Sequence, residues 1–184
     1  LKVSGSPGIT GRIEFNPSTL LFGPKTTHFA LLNEALELLN EALEEVDYLL
    51  DRPEPIDRMK ISRLDVTANI EPVRDPKGVL TRLIQCGIPK RRKMRAYFSR
   101  AHGLESVDCL TRSGDGYRAY DKGLQNGTKA PIMRFEAQSS RSYLKEVCPT
   151  IGCLSDNKLR EIFLTKIKSA AESLIATDRG VLDA

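Results

Sequence analysis

Two short segments each place an arginine and a carboxylate two residues apart, Arg63-Leu64-Asp65 and Arg134-Phe135-Glu136. In a β-strand such residues share a face, so if the two strands are sheet neighbours, Asp65 and Glu136 meet on one surface. Like charges brought together call for a cation between them, and a hard divalent ion with oxygen ligands suits two carboxylates. The plainer reading is two arginine–carboxylate ion pairs on a solvated sheet face. A third segment, Tyr117-Arg-Ala-Tyr-Asp-Lys122, sets two tyrosines and a lysine between turn signals. A phenol, with a free pKa of about 10, becomes a nucleophile only beside a cation or a base. A metal-bound phosphodiester together with Lys122 would supply that setting. His28 and His102 stand far apart, so the chain has no His-x-His or HExxH motif. Any metal site therefore leans on carboxylates, which favours Mg²⁺ or Mn²⁺ over zinc or copper.

The charge balance narrows the partner. The chain of 184 residues has a formal net charge of +4, unevenly distributed. Residues 31–57 hold nine acids and one base, whereas residues 89–100 hold Lys90, Arg91, Arg92, Lys93, Arg95 and Arg100 with no acid. A basic segment of this kind is how a polyanion-binding surface is written in sequence, against the alternative of a solvated loop. Tyr97 and Phe98 follow the run directly and could stack on unpaired bases, against the alternative of ordinary strand residues. Apolar stretches are broken by charge every few residues, which excludes a membrane span. Cys86, Cys109, Cys148 and Cys153 lack zinc spacing and a partner histidine, and read as free thiols in a reducing cytoplasm.

Positioning these residues requires a sheet. The length predicts a single domain, 1–184, and Leu1 in place of Met suggests a domain excised from a longer protein. Short strands are expected at Lys2–Ser4 and Arg12–Phe15, then a turn at Asn16-Pro17-Ser18 and a long amphipathic helix from Thr26 or Thr27 to about Leu50. Residues 61–70 form a strand with Leu64, Val66, Ala68 and Ile70 on one face and Arg63, Asp65, Thr67 and Asn69 on the other. A helix opens at Asp75-Pro76. Further strands are expected at Lys93–Ser99, Ser106–Thr111 and Pro131–Gln138, with Tyr117–Lys122 a strand or short helix. Helices near Tyr143–Val147 and from Asp156 to Ile175 complete the chain. Strands in adjacent runs predict α+β, a central mostly antiparallel sheet with flanking helices.

The order Ser-Pro…Phe-Gly, Ile-Ser-Arg-Leu-Asp-Val-Thr, Ala-Tyr-Asp-Lys-Gly and Met-Arg-Phe-Glu-Ala…Tyr-Leu-Lys resembles the phage and plasmid rolling-circle replication initiators. It is most similar to the filamentous-phage gene II replication endonuclease group, over roughly residues 3 to 147. The resemblance implies an HUH-endonuclease fold and site-specific nicking of single-stranded origin DNA through a covalent 5′-phosphotyrosine. By position, Tyr120 would be the nucleophile with Lys122 beside it, and Asp65 and Glu136 metal ligands or their support. That superfamily commonly holds its metal with a histidine pair, which this chain lacks, so Glu14 or Asn16 would complete the ligand set. Arg63, Arg134 and Lys122 would offset charge on the scissile phosphate, and Lys90–Arg95 would hold the DNA backbone. Origin DNA, host replication proteins and the cytoplasm of a bacterial host are the implied setting. A non-catalytic origin- or RNA-binding module, and a nuclease using water in place of tyrosine, are the rival readings.

Overall fold

Alternation between apolar and polar residues dictates the sheet. In the computed structural model, residues 2–4, 12–14, 16–22, 28–47, 55–85, 92–128 and 130–182 are described. The chain divides into two compact units, Leu1–Pro53 and Glu54–Ala184.

In the first unit, β1 (Lys2–Ser4) pairs antiparallel with β2 (Arg12–Glu14). The segment read as a turn at Asn16-Pro17-Ser18 instead opens a short helix, α1 (Pro17–Phe22). Asn16 caps it, its Oδ1 accepting from the Thr19 N–H at 3.1 Å, and Pro17 suits a first helical position, where no backbone N–H is needed. α2 (Leu32–Asp47) begins later than expected, with Leu39 and Leu43 buried on its apolar stripe. The expected cap at Thr26 or Thr27, and the helix end near Leu50, lie outside the described residues.

The second unit carries five strands: β3 (Arg63–Ile70), β4 (Arg92–Ser99), β5 (Gly103–Thr111), β6 (Gly116–Asp121) and β7 (Met133–Ser140). They form one antiparallel sheet in the order β3-β7-β6-β5-β4. This is an α+β architecture. β7 is shifted two residues later than the expected 131–138, and β5 begins at Gly103, where a φ of +73° lets the β4–β5 turn close tightly. β6 ends at Asp121, so Lys122 leaves the sheet and opens the short helix α4 (Lys122–Gln125).

One face of this sheet is apolar. Across it, Met94, Cys109, Tyr117, Ala137 and Val66 stand in register, as do Ala96, Val107, Ala119, Phe135 and Ala68. Leu80 and Leu83 of α3 (Pro76–Gln85) pack onto it with Phe163, Ile167 and Ala170 of α6 (Asp156–Leu182). α3 starts as expected, with Asp75 Oδ1 accepting from the Gly78 N–H at 2.8 Å. A second cluster joins Leu144 of α5 (Arg141–Val147), Cys148 and Ile162 to Leu64 and Val66. Each of the largest buried side chains contributes about 1.5–3 kcal/mol of burial. Among the described residues no helix is long and apolar enough to cross a membrane, and Cys109, Cys148 and Cys153 are free thiols. Cys86 lies outside the described residues.

Candidate active site on the polar sheet face

The other face of the sheet is polar, and the register sorts its residues into rows. One row reads Arg95, Asp108, Arg118, Glu136, Thr67 from β4 to β3, with charges alternating along it; the next reads Tyr97, Ser106, Tyr120, Arg134, Asn69. Residues directly opposite in neighbouring strands have Cβ atoms about 4.5–5.5 Å apart, close enough for the side chains to bond. They do. Arg118 donates twice to Asp108, from Nε to Oδ1 at 2.7 Å and from the second guanidinium nitrogen to Oδ2 at 2.9 Å. Diagonal neighbours in the two rows also bond: the Tyr97 hydroxyl donates to Asp108 Oδ2 at 3.2 Å, and the Tyr120 hydroxyl donates to Glu136 Oε1 at 2.7 Å. Arg118 therefore stands between two tyrosine–carboxylate pairs. The bonds to Asp108 hold its guanidinium charged more firmly than usual.

Strand parity separates the two tyrosines that composition leaves equivalent. Three residues apart, they must face opposite sides. Tyr117 lies opposite Cys109 and Ala137 in the core, 3 % exposed, while Tyr120 lies opposite Ser106 and Arg134 on the polar face. Burial, then the hydrogen bond to Glu136 and that carboxylate's charge, raise the Tyr120 pKa well above 10, with Arg134 acting against them. At neutral pH the group is a phenol whose proton points at a carboxylate.

The Asp-Lys-Gly sequence after Tyr120 has a local explanation. Asp121 Oδ1 accepts from the Leu124 N–H at 2.8 Å and caps α4. Lys122 is then turned back, buried, with Nζ on Gln125 Oε1 at 2.8 Å and 6.0 Å from the Tyr120 ring centroid. Desolvation, then the nearby Arg134, lowers the Lys122 pKa, and Glu136 opposes this. Gly123 is required because a Cβ there would collide with the Ala130 carbonyl oxygen. Gly123→Ala is expected to cost about 1–3 kcal/mol, read as a fall in thermal midpoint.

A cleft of about 420 Å³ opens over this row, lined by Tyr97, Glu105, Ser106, Tyr120, Gln125 and Glu136, with His102, Arg118, Asp121 and Leu124 around them. Tyr120 and Glu136 thus line a cavity, whereas Lys122 is buried outside its lining. Arg134 donates from Nε to Asn69 Oδ1 at 2.9 Å and is itself buried beside Tyr120.

Of the other expected residues, Asp65 stands away from Tyr120 within the same sheet. β3 and β7 are neighbours, and Asp65 and Glu136 do share a face as diagonal partners. Asp65, however, is clasped by Arg63, with contacts of 2.8, 3.0 and 3.2 Å, and both lie at the far end of β3. Asp65 is two strands and four residues from Tyr120, on the order of 15 Å away by strand geometry. Glu14 belongs to β2 in the first unit, and Asn16 is spent on capping α1. Lys93 and Arg95 are exposed on β4 with Arg92 in the same strand; Lys90 and Arg91 lie outside the described residues.

Both oxygens of Asp65 are engaged by the Arg63 guanidinium, and Oε1 of Glu136 accepts from the Tyr120 phenol. Among the described residues no three His, Cys, Asp or Glu side chains are grouped to hold a metal.

Glu105, Ser106, Asp108, Arg118 and Gln125 are members of the site that motif reading missed. Arg118 lies within the Tyr117–Lys122 segment, and Asp108 is the lone charged residue of Ser106–Thr111, a visible signal in an otherwise uncharged segment. Comparison with family models, curated proteins and solved structures returned no match.

Proposed function

We propose that this chain is a site-specific single-strand DNA endonuclease and strand transferase of the HUH kind, initiating rolling-circle replication through Tyr120. The observation that carries the reading is the Tyr120 hydroxyl held on Glu136 at 2.7 Å, inside a cleft flanked by Arg118 and Arg134. A phenol with a raised pKa is a strong nucleophile once its proton is removed, and the carboxylate that would remove it is already in contact. In the step this implies, Tyr120 Oη attacks phosphorus and its proton passes to Glu136. The bond from phosphorus to the 3′-oxygen breaks, that oxygen takes up a proton from solvent water to become a free hydroxyl, and the 5′-phosphate stays on Tyr120. Arg118, Arg134 and Lys122 offset the charge that builds on the phosphoryl oxygens. The phosphotyrosine conserves the bond energy for resealing, and the 3′-hydroxyl primes synthesis by host replication proteins in the bacterial cytoplasm.

The test is a denaturing gel of the protein incubated with labelled single-stranded origin DNA in Mg²⁺, in Mn²⁺ and in chelator. A covalent protein–DNA band supports the reading, and the three conditions read the cation requirement directly. Cleavage without an adduct assigns the attack to water, and binding without cleavage makes the chain a passive module; either result overturns the proposal.

Strand β4 supplies the backbone contact on this reading. Lys93 and Arg95 project beside the cleft on its polar face. Lys93→Ala with Arg95→Ala is expected to reduce the slope of log affinity against log salt by about 1.4, near 0.7 for each phosphate contact on a single strand. Fluorescence anisotropy of a labelled oligonucleotide across a salt series measures it.

A further inference from the structure

The register of β4 and β5 breaks at one point. Tyr97 lies opposite Ser106 and Phe98 opposite Leu104, so Glu105 is an extra residue with no partner across the pair. Such bulges re-aim side chains next to sites, and this one sends Glu105 to the lining of the cleft beside the Tyr97 ring. That ring is 43 % exposed yet fixed, because its hydroxyl is tethered to Asp108. Leu124 supplies an apolar wall, and Ser106, His102 and Gln125 supply polar edges. Gln125 Oε1 is engaged by Lys122, which leaves its amide N–H groups to donate into the cleft. The cleft therefore combines a fixed aromatic plane, an aliphatic wall, and both acceptors and donors at its rim. Its volume of about 420 Å³ falls in the range of small-molecule sites, roughly 300–1,000 Å³.

We infer that this cleft receives one unpaired nucleobase of the bound strand, stacked on Tyr97 and read at its edges by Glu105, Ser106 and Gln125. The inference rests on the nuclease reading for its choice of strand and deepens it by naming what fills the cavity. Lys93 and Arg95 on the same strand as Tyr97 supply the charge complementarity that favours a polynucleotide over an uncharged ring compound. A stacked, paired base cannot enter such a pocket without leaving its helix, so the site selects single strands. Phe98, 70 % exposed but absent from the cleft lining, is the internal control.

The experiment is photocrosslinking with a single-stranded 5-iodouracil oligonucleotide in chelator, with the adducted peptide identified by mass spectrometry. The crosslink is expected on Tyr97, reduced about tenfold in Tyr97→Leu, kept in Tyr97→Phe and unchanged in Phe98→Leu, with thermal midpoints confirming that each variant folds. The same oligonucleotide in duplex form is expected to give no crosslink. A crosslink that maps to Phe98, survives Tyr97→Leu, or forms equally with duplex overturns the inference. Crosslinking at Tyr97 without a covalent phosphotyrosine in the nicking assay leaves the base site standing and removes only the nuclease reading. A phosphotyrosine band with no Tyr97 crosslink does the reverse.

Discussion

Tyr120→Phe is expected to abolish the covalent protein–DNA band and to lower the rate of strand cleavage at least about 10⁴-fold, the scale of loss when a covalent nucleophile is removed. The substitution deletes one oxygen atom and the bond to Glu136 at 2.7 Å, leaving the ring in place. A lost hydrogen bond of this kind costs about 1–2 kcal/mol, so the variant stays folded and the loss of adduct reads as chemistry. Tyr117→Phe is the matched control, because that ring lies in the core on the opposite face and should leave the adduct intact. The reverse pattern, an adduct retained in Tyr120→Phe and lost in Tyr117→Phe, sinks the assignment. Glu136→Gln keeps shape but not basicity, and a 10²–10⁴-fold loss in cleavage is the expected signature of a missing proton acceptor. A stability measurement checks the environment independently. Because the folded pKa of Tyr120 is raised above its ordinary 10.0, first by burial and then by Glu136, its contribution is fully present below pH 10. It is lost as the pH rises beyond that value, so wild type should lose stability more steeply in alkali than Tyr120→Phe.

How far the sequence carries depends on which interactions are local. Alternation in 61–70 places Arg63 and Asp65 on the polar face, and the i, i+2 spacing of Arg134 and Glu136 does the same in β7; both follow from strand geometry alone. That β3 and β7 are neighbours, so that Asp65 and Glu136 share a surface, holds as well. What spacing cannot supply is the offset along the strands. The register sets Arg134, not Asp65, beside Tyr120, and it gives Arg63 to Asp65 as an ion pair at the sheet's far end. The Asp108–Arg118 pair is likewise invisible until β5 and β6 are aligned, since the two are ten positions apart with a turn between them. Lys122 shows a subtler failure. Read as a strand residue it would stand on the polar face two positions beyond Tyr120, but the Asp121 cap turns the chain into α4 and buries the ammonium, 6.0 Å from the Tyr120 ring centroid. Short polar residues that bond their own backbone override strand continuation there. The same effect at Asn16 converts an expected turn into the start of α1.

Asp115→Ala is expected to be the most damaging single substitution for stability, at about 3–5 kcal/mol, although Asp115 stands outside the candidate site. Asp115 ends the β5–β6 turn, where its carbonyl accepts from the Thr111 N–H at 2.8 Å. Its carboxylate accepts from the Ser140 N–H and hydroxyl at 2.8 and 2.7 Å and from the Ser113 hydroxyl at 2.8 Å. Lys166 of α6 completes the set, with Nζ 3.4 Å from Oδ1 and 3.3 Å from the Tyr143 ring centroid. One carboxylate thus binds the turn, the start of α5 and the long helix together. Truncation leaves Lys166, 5 % exposed, as a buried charge without its counter-ion, and Tyr143 alone offers little compensation. Asp115→Ala combined with Lys166→Met should recover much of the loss, because the stranded charge goes with it; a double variant no more stable than the single one would show that the serine contacts dominate. The pH dependence has a definite sign. Burial alone would raise the Asp115 pKa, but the bonds from Ser140 and Ser113 and the charge of Lys166 outweigh it and leave the folded value below the ordinary 3.8. Its stabilisation is therefore present above that value and lost as the pH falls through the lowered one. Thermal melts between pH 3 and pH 7 should show wild type losing stability on the acid side more steeply than Asp115→Asn, which has no proton to take up. Equal acid slopes would mean that the carboxylate is not held in its charged form by this network.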